Sequence, residues 1–322
     1  MRPVHGLLAA LVATPFVAGV LAAPADRPAH PVFAFQDPEI DESSGLVVRD
    51  GLFVTVNDSG DTARVFVVDP ATGETVGRTS WDADPIDDEA LAPAAHSTDV
   101  WVGDIGDNLA DRDSITITRV PTGRGELSGA VASYRLEYPD GAHDAETLMV
   151  DPVSGQVLIA SKGFMGSIYA APEQLTSGTN ELKKVGEAPG IATDGAFFPD
   201  GKHLVIRDYD SATFYTYPGL EEVGEMTLPA QQQGEGIAVA PDGKVYVCSE
   251  GVESPVLEVA IPDRIRSVLD GDPHHPSAGP RPADDVPATT SHDDDRSPWP
   301  WAIGGGALVA IVLVLLRALR PR

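Results

Sequence analysis

Between residues 34 and 262 the chain alternates short apolar, β-branched runs with turns of Gly, Asp and Pro. No stretch there shows the 3.6-residue periodicity of a long amphipathic helix. One order of elements recurs five times: a small-residue strand, a turn, a hydrophobic strand ending in polar residues, and a third strand. The first unit reads SSGLVV, LFVTVNDSG, ARVFVVD; the second reads DEALAP, DVWVGDIGDN, SITITRV. The third is AETLMVD, QVLIASKG, SIYAAP; the fourth is TDGAFF, HLVIRDYD, ATFYTY; the fifth is GEGIAVA, KVYVCSEG, PVLEVAI. Equivalent positions fall at Gly45, Ala90, Thr147, Gly195 and Gly236. Such spacings, together with the repeated order, predict an all-β fold, a β-propeller of four-stranded blades. A sandwich would supply strands without that order. Five units predict five blades, and the wide spacing between Ala90 and Thr147 leaves room for part of a sixth. Fourth strands are weaker, around Thr75–Arg78 and Leu136. The run Val32–Phe35 is placed to complete the last blade and close the ring. Asp69–Gly73, Asp151–Gly155, Pro199–Lys202 and Pro241–Lys244 supply turn chemistry between strands.

Two apolar stretches lie outside this pattern. Residues 1–25 read as a signal peptide: Arg2, then the apolar Leu7–Leu21, then small residues before Asp26. Residues 299–317 read as one transmembrane helix, with Trp299 and Trp301 at an interface, Arg317 at its end and Arg320 and Arg322 just beyond. Residues 318–322 are then a short basic cytoplasmic tail. Residues 26–269 form the propeller domain. Residues 270–298, rich in Pro, Asp, Ser and His, form a disordered acidic stalk. His274, His275 and His292 have no ligand spacing and read as parts of that stalk. The expected location is the cell membrane, single-pass, with the large domain outside.

The charge sharpens this picture. The chain has 22 Lys+Arg against 49 Asp+Glu and a formal net charge of -27. Every acid lies between Asp26 and Asp295, within the segment expected outside the membrane. Such a surface repels phosphate backbones, so nucleic acid is excluded as a partner. A single cysteine, Cys248, excludes an internal disulfide and any multi-cysteine metal site. It reads as a small buried hydrophobe.

In an up-and-down blade, strand-one starts and strand-two ends share one face. That geometry gathers Ser44, Glu89, Glu146, Asp194 and Glu235 in one column, with Asp87, Asp88 and Asp144 just before it. Asn57, Asp58, Asp61, Asp104, Asp107, Asn108, Lys162, Arg207, Asp208, Asp210 and Glu250 come from strand-two ends. Clustered carboxylates raise one another's pKa unless a cation neutralises them, and hard oxygen ligands suit calcium. Glu89, Glu146, Asp194 and Glu235 are the candidate calcium ligands. Asn57, Asp58, Asp104, Lys162, Arg207, Asp208 and Glu250 are candidate ligand-binding residues. A salt-bridged structural network, in which Lys162 and Arg207 neutralise the ring, and a grip on an anionic ligand are the alternatives. No GxSxG, HExxH or P-loop pattern occurs. His143, beside Asp144 and Glu146, is the candidate general base, with a surface turn histidine as its plainer reading. Trp81 and Trp101 are expected between blades, and Tyr209 and Tyr215 in a groove or in the core.

ESSGL (Glu42–Leu46), NDSGD (Asn57–Asp61), GDIGDN (Gly103–Asn108), YPDGAHDAETLMVDPVSG (Tyr138–Gly155), SKG (Ser161–Gly163) and QGEGIAV (Gln233–Val239) resemble an actinobacterial family of secreted or membrane-anchored β-propeller-like proteins without established activity. The resemblance covers most of residues 36–262. It implies the fold and the compartment and transfers no catalytic role. A more distant similarity to calcium-dependent propeller lactonases and phytases rests on fold alone. The expected function is a cell-surface binding or scaffold domain offering its acidic mouth to a glycan, peptide or envelope protein. A calcium-assisted extracellular hydrolase using His143 or Glu146, and a purely structural surface protein, are the alternatives.

Overall fold

The computed structural model describes residues 29–58 and 60–271. Strand β1 (Ala29–Ala34) opens the described chain. Blade 1 follows as β2 (Ser43–Arg49), β3 (Leu52–Asn57), β4 (Arg64–Val68) and β5 (Thr75–Ser80). Blade 2 comprises β6 (Asp88–Pro93), β7 (Val100–Asp104), β8 (Ile115–Val120) and, after the excursion β9 (Gly125–Ser128), β10 (Ala132–Glu137). Blade 3 is β11 (Ala145–Val150), β12 (Val157–Ser161) and β13 (Gly166–Ala170), then the short β14 (Asn180–Glu181) and β15 (Lys183–Ala188). Blade 4 is β16 (Asp194–Phe197), β17 (His203–Arg207), β18 (Ser211–Thr216) and β19 (Glu222–Thr227). Blade 5 is β20 (Gly234–Val239), β21 (Val245–Ser249) and β22 (Pro255–Val259), followed by helix α1 (Asp263–Leu269).

These strands make five sheets, and β1 is the outermost strand of the fifth, antiparallel to β22. The fold is therefore a five-bladed propeller whose ring is closed by pairing the first described strand with the last. The wide spacing in the second unit holds no sixth blade. It is taken up by β9, which leaves blade 2 to pair in parallel with β5 of blade 1. Strand β14 similarly pairs in parallel with β10 of blade 2. Both additions cover outer sheet edges that would otherwise template pairing with another chain.

The inner strands of each blade, such as β11 and β12, bury both faces and so lack strict apolar–polar alternation, whereas outer strands such as β15 and β19 are largely exposed. In β11, Leu148 and Val150 join the core shared with blade 2, while Met149 joins the core shared with blade 4. Leu46 of β2 packs toward blade 5, and its neighbour Val47 toward blade 2. Five such inter-blade cores run round the ring. The expected roles of Trp101 and Trp81 hold: each packs in an inter-blade core. Tyr215 is core as well. Cys248 is fully buried, and burial pushes its thiol up to about 11, as befits an inert small hydrophobe. Helix α1 lays Ile265 over blade 4, where Gly224 gives it room.

One local irregularity recurs and builds the site. In blades 1, 2 and 3 the ladder slips by one residue at Ser44, Glu89 and Glu146 respectively. In blade 5 it slips across Glu235 and Gly236. In blade 4, Thr193 N donates to Arg207 O while Asp194 is already the ladder partner of Arg207. Each innermost strand thus carries an extra residue at one height. A bulge re-aims a side chain without breaking the strand, so this column is a product of the fold. Close packing of inner strands follows at once. A Cβ at Gly236 would stand 2.6 Å from Cys248 Sγ and 3.0 Å from Leu46 Cβ.

The segments read as signal peptide, transmembrane helix and cytoplasmic tail, and all but the start of the stalk, lie outside the described residues. Among the described residues no helix is long and apolar enough to cross a membrane.

Candidate functional site: the acidic mouth

The bulged column and the loops after the second strands meet at one mouth of the ring. Glu89, Glu146 and Glu235 are all buried there. Lys162 Nζ pairs with Glu146 Oε1 and lies 5.5 Å from the centre of the Tyr209 ring. Glu146 Oε2 and Glu235 Oε2 are buried and have no hydrogen-bond partner. Ser44 Oγ donates to Glu89 O at 2.7 Å and to Glu89 Oε2 at 3.3 Å, joining blades 1 and 2.

Burial, reinforced by neighbouring carboxylates, raises these acids. Glu89 is pushed up to about 10, with Glu146, Asp58 and Asp87 adding to burial. Glu146 rises to about 8 although Lys162 pulls against its burial. Glu235 rises to about 7, and burial raises Glu250 as well. Asp88, buried beside Asp104, rises to about 7. Burial works to discharge Lys162, but the charge and hydrogen bond of Glu146 outweigh it and hold the ammonium above its ordinary value. The mouth therefore has more carboxylates than one lysine neutralises, and a proton or another cation must supply the balance.

Three of these groups already converge. One carboxylate oxygen from each of Asp58, Asp87 and Glu89 lies within 4.8 Å of the other two. Asp58 comes from the loop after β3, while Asp87 and Glu89 flank the start of β6. Backbone places Asp87: its N–H donates to Asp104 Oδ1, and its carbonyl accepts from Ile105 and Gly106. Arg112 fixes Asp104 in turn, by an ion pair at 2.9 Å. Gly106 is what allows the approach. A Cβ there would stand 2.3 Å from Asp87 Oδ2 and 2.8 Å from Glu89 Cγ. An all-oxygen cradle of this kind has the donor chemistry of a hard divalent cation.

The remaining candidates divide into mouth groups and structural pins. Glu250 stays at the mouth, accepting from Gln233 Nε2 at 2.7 Å. Asn57 is a pin, donating to Glu39 O, Asp41 and Asp61. Asp208 caps its own turn by accepting from Asp210 N, Ser211 N and Ser211 Oγ. Asp61 pairs with Arg64, and Asp107 accepts from the N–H groups of Asp111 and Arg112. Asp144 accepts from Asp107 N at 2.8 Å.

Two column residues turn away from the opening. Asp194 is fully buried, and its oxygens accept from Gly195 N and Ile237 N, both at 2.7 Å. Arg207 is also fully buried, and donates to the carbonyls of Asp208, Gly236 and Cys248. Burial holds the Asp194 carboxyl well above and the Arg207 guanidinium below their usual values. In this arrangement Asp194 ties the inner strands of blades 4 and 5, and Arg207 grips backbone carbonyls of the same two blades. His143 likewise stands in a different group: its Nε2 lies 3.0 Å from Asp140 Oδ1 and 2.9 Å from Tyr169 OH, with the Tyr138 ring edge-on at 5.0 Å. His203 pairs with Asp200 on a turn of the opposite face.

These features define a five-bladed β-propeller with a carboxylate-rich mouth. Neither protein-family models nor curated proteins give a match to the chain. The family resemblance therefore rests on the quoted motifs alone, while the propeller itself rests on the sheet order.

Proposed function

We propose that this protein is an extracellular binding propeller, held at the cell surface by its C-terminal apolar segment, whose acidic mouth seats a divalent cation. The observation that carries the reading is the convergence of Asp58, Asp87 and Glu89 from two blades. The buried Oε2 atoms of Glu146 and Glu235 extend the same demand for positive charge. Calcium is the ion this donor set favours. A closed ring suits binding because its loops vary without disturbing the inter-blade cores. Binding is preferred to hydrolysis because His143 engages Asp140 and Tyr169 rather than a mouth carboxylate.

Calorimetric titration of the purified protein with calcium chloride tests the reading. One ion per chain is expected, with affinity lowered at least about tenfold by Asp58→Asn or Glu89→Gln. No heat, together with no calcium-dependent rise in thermal midpoint, would sink it.

A further inference from the structure

The large apolar side chains left in water are concentrated on one face of the ring. Among the described residues Phe164 is 95% exposed, Met165 84% and Leu109 82%. Ile86 at 67%, Val153 at 64% and Val252 at 57% follow. All of these except Val153 stand on loops of the mouth face. Ile86 precedes β6, Leu109 follows β7, Phe164 and Met165 join β12 to β13, and Val252 joins β21 to β22. Hairpin tips ordinarily carry Gly, Asn, Asp or Ser, so nothing in the turn itself calls for Phe and Met.

The tip is also braced. Gly163 O accepts from Ile191 N at 2.8 Å. Gly190 packs so close to Phe164 that a Cβ would lie 2.6 Å from the Phe164 carbonyl oxygen. Ile191, 45% exposed, is held at φ 58°, a left-handed conformation that a β-branched side chain disfavours. The strain keeps an isoleucine beside Phe164 where glycine or asparagine would be relaxed. Strain of this kind clusters at recognition sites. Only Gly163 separates Phe164 from Lys162, which reaches back to Glu146 in the mouth.

Around this apolar edge the face is acidic. Asp82, Asp84, Asp111, Asp113, Asp210 and Glu253 are exposed on its loops. The loop cations Arg112 and Lys162 are already paired with Asp104 and Glu146. The turns of the opposite face carry Arg49, Arg124, Lys202 and Lys244 among their acids. The asymmetry selects the partner. An anionic lipid surface is repelled by such a face. A neutral glycan can stack on an aromatic ring but gives the surrounding carboxylates no cation to meet.

We infer that the mouth face is a protein-docking surface whose occupant is a polypeptide segment carrying Lys or Arg beside large apolar residues. The apolar residues cover Phe164, Met165 and Ile191, and the cations meet the surrounding carboxylates. This rests on the binding role proposed above but not on the ion: the rim residues lie outside the Asp58–Asp87–Glu89 cradle.

Panning a random dodecapeptide phage library on the immobilised protein tests it. Enriched peptides should combine Lys or Arg with aromatic or aliphatic residues. Their affinity, measured on synthetic copies, should fall at least about tenfold in the double variant F164S/M165S and again at about 0.5 M salt. Both side chains are exposed, so this variant should keep the wild-type thermal midpoint and calcium titration. Calcium binding without peptide enrichment overturns the docking surface and leaves the cation reading standing. Peptide enrichment without calcium binding does the reverse. Enriched peptides lacking cations, peptides indifferent to F164S/M165S, or binding to phosphatidylglycerol vesicles that F164S/M165S abolishes each overturn the inference.

Discussion

Asp194 and Arg207 are ladder partners within blade 4, yet both hydrogen-bond to the backbone of blade 5. Asp194 Oδ2 accepts from Ile237 N at 2.7 Å, and Arg207 Nη1 donates to Gly236 O and Cys248 O at 3.1 and 3.3 Å. The two side chains stitch neighbouring inner strands where their bulges would otherwise leave polar backbone groups unmet.

Removing either side chain leaves the backbone groups it meets buried and unpaired. Asp194→Ala and Arg207→Met should each destabilise the fold by about 2–4 kcal/mol, measured by urea unfolding. A loss below about 1 kcal/mol for both would show that this seam does not hold the blades together.

The raised acids set a pH dependence. Asp88, Glu146 and Glu235 stand at about 7 to 8 in the folded protein, against ordinary values of 3.8 and 4.5. They bind protons more tightly folded than unfolded. Their stabilisation is full below about pH 4 and is lost as pH rises through 7 to 8. With chelator present, the thermal midpoint should fall by about 5–10 °C between pH 5 and pH 8.5. The variant E146Q/E235Q should flatten that slope. A midpoint that rises with pH over this window would contradict the assignment.

Gly106 offers a steric test of the cradle. Gly106→Ala places a methyl group against Asp87 Oδ2 and Glu89 Cγ, so one carboxylate must move. Calcium affinity should fall about tenfold or more while the circular dichroism spectrum keeps its β signature. Unchanged affinity would place the ion elsewhere.

Anchoring is tested by truncation. Residues 301–316 are WAIGGGALVAIVLVLL, followed by Arg317. A chain ending at Pro298 should appear in the culture medium instead of the membrane fraction. Continued retention on membranes would count against the single-pass topology.

The ring was legible in the sequence because the inner strands of a propeller bury both faces and so read as apolar runs in a fixed order. Even the closing strand was visible at Val32–Phe35. The five-or-six ambiguity came from β9, an exposed strand at Gly125–Ser128 whose partner lies in the preceding blade. No local pattern announces such a pairing. The column from Ser44 to Glu235 was legible as well, since it follows from blade geometry. The meeting of Asp58 with Asp87 was not, because irregular loops from two blades bring them together. The inward turn of Asp194 and Arg207 depends on backbone groups of another blade. Phe164 and Met165 carried no signal beyond their place between two strands, since exposure at a tip is set by what the rest of the face leaves uncovered.

The pairing of β1 with β22 has a consequence for how the molecule comes into being. The first and last strands of the ring are some 220 residues apart in sequence but neighbours in one sheet. A chain emerging N-terminus first must keep Ala29–Ala34 waiting, unpaired, until Pro255–Val259 has arrived. The propeller cannot clasp itself while any blade is still missing, so closure of the ring is deferred until its last strand has been made.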